Sequence, residues 1–91
     1  MELAEVREKI RKIDERIAEL IKERTDLAFH VFNAKKKVNC EIVDNRQVED
    51  VLKRAEAFAT ANGLNPDAMR QIFEILIKMN TEEQERLSRE D

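Results

Sequence analysis

The sequence predicts an all-α protein of three helices, one long and two shorter, that works as a homodimer. Three observations carry this. Turn chemistry is almost absent, with one glycine and one proline in 91 residues, the mark of long uninterrupted helices. Apolar residues step by threes and fours from Leu3 to Val38, and no glycine or proline falls between residues 2 and 38. A chain this short also lies near the lower limit for a self-sufficient core, so burial against a second copy is expected from size alone. Residues 1–91 read as one domain, without repeat, low-complexity segment or linker.

The first helix is set by Leu3, Val6, Ile10, Ile13, Ile17 and Leu20, then Leu27, Val31, Ala34 and Val38, a heptad-like seam. At ~1.5 Å per residue it is roughly 55 Å long. Two shorter helices cannot cover such a seam. It needs another long helix beside it, most simply its own copy. Residues 39–45 hold the first turn signals, with Asp44 or Asn45 placed to cap the second helix. That helix carries Val48, Val51, Leu52, Ala55, Phe58 and Ala59 on one stripe. It stops at Asn62-Gly63, where glycine supplies a left-handed cap. Asn65-Pro66-Asp67 then opens the third helix with a capping residue, proline in the first turn and an acid near the positive helix end. Its stripe runs Met69, Ile72, Phe73, Leu76, Asn80, Leu87.

Composition excludes several classes of function. A net charge of −3 is not the footprint of a nucleic-acid binder, although the run Lys35-Lys36-Lys37 leaves room for a small anionic ligand. Cys40 is the single cysteine, so no intrachain disulfide forms and a reducing compartment is the natural home. With no 18-residue apolar run and no signal-peptide pattern, the chain reads as cytoplasmic, without membrane contact. His30 and Cys40, ten residues apart, lack the spacing of a zinc site. His30 reads as a helix-surface or interface residue, and Cys40 as a small hydrophobe in the turn. No serine precedes Asn80, which leaves little for a Ser–His–Asp triad, and one glycine makes no phosphate loop. Neither metal nor cofactor is expected.

What remains is a set of polar residues on faces that should be apolar. Arg24 stands where the seam calls for a hydrophobe. Asn80 interrupts the third stripe, with Gln84 one turn beyond. Arg24 and Lys35 lie within about 20° of each other and about 16 Å apart along the helix, so their side chains can lean together around a small anion. Arg7 is about 25 Å from Arg24 on the same helix, too far to share one small ligand. If Arg7 joins the site it comes from another chain, as an antiparallel pair of long helices would allow. Each residue also has a plainer account. Arg24 can snorkel from a helix seam toward Glu19 or Glu23 of a facing chain. Arg7 and Lys35 can be solvated surface charges, Asn80 a register-fixing polar residue, and Gln84 an exposed helix former.

The run Val6-Arg7-Glu8-Lys9-Ile10, Ile13-Asp14-Glu15, Leu20-Ile21, Glu23-Arg24, Leu27-Ala28, Val31 and Ala34-Lys35 resembles the long first helix of the all-helical chorismate mutases. Ile72-Phe73-Glu74-Ile75-Leu76-Ile77, with Gln84 beyond it, resembles their third helix. The likeness covers nearly the whole chain and needs no insertion or deletion. It implies an intertwined helical homodimer with two shared sites and a chorismate-like dianion as substrate. By the same resemblance, Arg24 holds one carboxylate and Arg7 of the other chain holds the second. Lys35 and Gln84 approach the ether oxygen of the breaking bond. Asp44 falls near the ring hydroxyl, and Asn80 near the ring carboxylate.

Two positions depart from the family pattern. Where it carries an arginine followed by a glutamate, this chain has Gln47 and Val48, with Arg46 one residue early; a one-residue slip of the loop would restore the arginine. The glutamate normally meets the ring hydroxyl. A valine there resembles the related isochorismate-pyruvate lyases, and the loss also suits a 4-amino-4-deoxychorismate mutase. A reading of another class stays open beside these: a non-enzymatic helical dimerisation module in which Arg24 and Asn80 only fix register.

Overall fold

The computed structural model describes residues 1–38 and 41–90. It is helical throughout, in the order α1 (Leu3–Asp26), α2 (Ala28–Lys37), α3 (Asn45–Ala61) and α4 (Pro66–Glu90). The long first helix of the sequence thus appears as two segments joined through Leu27. The ladder continues across the joint: the Leu27 amide donates to the Glu23 carbonyl at 3.2 Å, and the Leu27 carbonyl accepts from Val31 at 3.0 Å. Leu27 itself has φ −68° and ψ −13°, a tightened turn rather than a break. Thr25 supplies a cause, since its hydroxyl donates to the Ile21 carbonyl at 2.9 Å, a back-bond that bends helices. Three helical rods therefore remain, one of them long.

The caps agree with the sequence. Asp44 Oδ1 accepts from the amides of Arg46 (3.1 Å) and Gln47 (3.3 Å) and opens α3. Gly63 takes φ 70°, and the Leu64 amide reaches back to the Ala59 carbonyl at 2.9 Å, closing α3 with a Schellman turn. Asn65 Oδ1 accepts from Ala68 at 3.1 Å and caps α4 ahead of Pro66. The four-residue connection, 62–65, folds α3 and α4 into a helical hairpin. Arg70 ties the two together, donating to Glu56 at 2.8 Å and lying 3.5 Å from Glu49.

The core is small. Among the described residues, Ala28, Phe32, Leu52, Ala55 and Ala59 are the buried apolar ones, and no large side chain is fully enclosed. No residue of α1 is fully buried: Leu3, Ile10, Ile13, Ile17 and Leu20 all stand exposed, Ile13 at 59%. The molecule measures 54 × 27 × 15 Å with a radius of gyration of 16.3 Å. A compact domain of this length has a radius of about 12 Å. The excess is the arm formed by α1. Among the described residues no helix is long and apolar enough to cross a membrane.

Candidate active site

A cleft of about 300 Å³ opens where α1, α2, α3 and α4 meet, at the lower end of the size range for small-molecule sites. Arg24, Leu27, Val31 and Lys35 form one wall, stepping by three and four along α1 and α2. Ile42, Val43 and Asp44 come from the connecting loop, Gln47, Val48 and Val51 from α3, and Ile77, Asn80, Thr81 and Gln84 from α4. Seven sequence-predicted residues thus share one cavity: Arg24, Lys35, Asp44, Gln47, Val48, Asn80 and Gln84.

Two cations anchor it. Arg24 is half-buried and its Nη1 donates to the Leu76 carbonyl at 3.0 Å; burial pulls its guanidinium below the ordinary arginine range. Lys35 is half-buried too, and its Nζ donates to the Ile42 carbonyl. Neither makes an ion pair among the described residues. Partly desolvated cations held only by neutral carbonyls leave Coulomb attraction available for an incoming anion. Among the described residues Asp44 is the one carboxylate in the lining, and its Oδ1 is engaged in capping α3.

An amide pair from α4 shares the lining with the cations. Gln84 is the only buried residue of α4, at 3% exposure. Its Nε2 donates to Asn80 Oδ1 at 2.7 Å, and Asn80 Nδ2 donates to the Arg24 carbonyl at 3.4 Å. Gln84 Oε1 is buried without a partner among the described residues. The rest of the lining is chiefly apolar, so the cleft offers fixed donors in a partly dehydrated setting.

Two predicted residues lie outside the lining. Arg7 is exposed on the free arm of α1, one long helix away from Arg24. Arg46 is exposed, its amide bonded to Asp44 Oδ1. With α3 capped at Asp44, Gln47, Val48 and Val51 line the cleft, and the one-residue slip that would bring Arg46 in is not made. Sequence reasoning passed over Leu27 and Val31, counted only as seam, and Thr81, the direct neighbour of Asn80. The signal was present, since each lies on the same helical face as a predicted site residue. His30 is exposed, edge-on to Phe29 at 5.5 Å between ring centres, while Cys40 lies outside the described residues. No group of three or more His, Cys, Asp or Glu among the described residues is arranged to hold a metal ion.

Fold and cleft together define an all-helical protein with a small cleft lined by two cationic side chains. Residues 6–85 match the family model for chorismate mutase type II. The chain is 33% identical over 78 residues to a chorismate mutase of Methanocaldococcus jannaschii, an overlap of 86% of this chain and 79% of that relative. It belongs to the chorismate mutase type II family.

Proposed function

We propose that this chain rearranges chorismate to prephenate in two clefts, each completed by a second copy of the chain. The observation that carries the reading is the pair of half-buried cations, Arg24 and Lys35, lining one small cleft together with buried Gln84, neither of them in an ion pair among the described residues. Membership of an enzyme family sets this apart from a bare dimerisation module.

The reaction is a unimolecular rearrangement of a dianion. It calls for no nucleophile, only a cage that holds the folded conformer and stabilises negative charge growing on the ether oxygen. The Arg24 guanidinium suits a carboxylate, because its fork offers two parallel hydrogen bonds. Lys35 and Gln84 lie on the walls from which donors can reach the ether oxygen. Arg7 of the second copy receives the other carboxylate, its own Arg24 being about 25 Å away along the helix.

The surface supports the second copy. The chain exposes 7256 Å², whereas a compact monomer of this mass exposes about 5,500 Å². The surplus of about 1,700 Å² per chain falls in the range of permanent interfaces once doubled. The apolar seam of α1 is the natural place for it, and an intertwined dimer covers that seam along its length. With a single cysteine in the sequence, the cytoplasm suits the chain.

One observation favours a second substrate. Val48 lines the cleft where the family pattern has a glutamate for the ring hydroxyl, as suits an isochorismate-pyruvate lyase or a 4-amino-4-deoxychorismate mutase. Parallel incubation with chorismate and isochorismate, monitored by NMR, separates the readings. Prephenate from chorismate is expected. Salicylate and pyruvate from isochorismate alone would make the chain a lyase, and silence on both would sink the chorismate reading.

A further inference from the structure

We infer that Asn80 is a positioning residue that fixes which end of the Gln84 amide faces the substrate. The argument is one of donors and acceptors. A backbone carbonyl can only accept, so the group that Asn80 turns toward the Arg24 carbonyl, 3.4 Å away, is its Nδ2. Asn80 Oδ1 is thereby directed at Gln84, which must answer with Nε2, at 2.7 Å. A primary amide carries two N–H groups. One is held by Asn80, and the other stays available to an acceptor in the cleft.

The opposite orientation of Gln84 would set Oε1 against Asn80 Oδ1, two acceptors face to face. In the orientation adopted, Oε1 is buried and unpartnered among the described residues, an unfavourable state that persists only because the bond to Asn80 outweighs it. Without Asn80, no described contact selects one orientation. Gln84 would then present its carbonyl oxygen to the reacting ether oxygen part of the time, repelling the charge it should stabilise. The anchor of the relay is the main chain of Arg24, whose own guanidinium donates to the Leu76 carbonyl one turn before Asn80. The carboxylate-holding residue and the ether-oxygen donor are thus set in one frame. The inference rests on reading Gln84 as a donor to the substrate, and its test includes a measurement independent of turnover.

That measurement is the side-chain amide pair of Gln84 in a nitrogen-edited proton NMR spectrum of the ligand-free protein. In the wild type the two amide protons are expected well separated and slow to exchange, one bonded and one not. In Asn80→Leu, which keeps the branched outline of the side chain and removes its hydrogen-bonding atoms, they are expected to draw together and exchange quickly. An unchanged Gln84 pair overturns the inference whatever the activity. Kinetics give the second reading. Asn80→Leu is expected to lower kcat about tenfold while KM stays within about threefold, as misorientation of a donor costs the reacting state more than binding. In a Gln84→Leu background the same change is expected to cost less than about twofold, because it acts through a group already gone. A full tenfold loss in that background would place Asn80 directly on the substrate and refute the positioning role. Asn80→Ala removes the same amide without adding an apolar side chain and gives both readings if leucine disturbs the packing. A wild type inactive on chorismate would sink the proposed function and leave the amide spectrum to decide this point.

Discussion

Arg24 shows how far one residue can be read. It breaks an apolar seam, and that alone marks it in the sequence; the structure adds that it is half-buried, unpaired with any carboxylate among the described residues, and bonded to the Leu76 carbonyl. Its positive charge lines the cleft without an ion-pair partner among the described residues, so its removal should harm substrate binding and turnover more than folding. Arg24→Ala is expected to lower kcat/KM by about 10²–10³-fold, the scale of one charged donor in a dehydrated site, with helicity by circular dichroism unchanged. Activity within a few fold of wild type would remove Arg24 from the site. Gln84 was less legible. A glutamine near the end of a helix reads equally well as a solvated helix former. Only the packing of α4 against α1, α2 and α3 buries it, and tertiary burial leaves no local mark. The link from Lys35 to the Ile42 carbonyl is hidden in the same way, since the path of the loop decides it.

At the scale of elements, legibility tracks chemistry. Caps are local, so residue type named Gly63 and Asn65 and narrowed the start of α3 to Asp44 or Asn45; Asp44, Gly63 and Asn65 act as caps. The tightened turn at Leu27 was not visible, because Thr25 can either face solvent or bond back to Ile21 and its residue type does not choose. Phe58 and Ile72 sit on the predicted stripes yet stand exposed, at 59% and 51%. Periodicity gives a face and not the partner that covers it. Gly63 permits a clean test of a local device. A methyl group there would meet nothing within 4 Å, so the cost of Gly63→Ala is backbone strain at φ 70° alone. The variant is expected to lose about 1 kcal/mol, seen as a melting temperature lower by about 5 °C in a chain of this size. An unchanged melting temperature would mean that the turn between α3 and α4 relaxes without cost.

For the whole molecule the decisive quantity is what α1 leaves uncovered. Its five exposed seam residues and the surplus surface ask for a second long helix, and the wide separation of Arg7 from Arg24 asks for the same thing from the chemistry. Geometry turns that coincidence into a count. In the isologous dimer proposed above, each site would take Arg24 from one chain and Arg7 from the other. A chain carrying Arg7→Ala and one carrying Arg24→Ala are each expected to be inactive as homodimers, since every site would lack one arginine. When equal amounts are unfolded together and refolded, half of the dimers contain one chain of each kind. In those dimers one site has both arginines lost and the other has both intact. One site in four is therefore whole, and the mixture is expected to recover about a quarter of wild-type turnover. Each variant refolded alone should stay inactive under the same assay. If mixed dimers form, as mass spectrometry of the intact assembly would show, and activity does not return, then the cleft draws its second carboxylate-binding group from its own chain. Arg7 would then be an ordinary surface charge and the α1 seam would serve assembly alone.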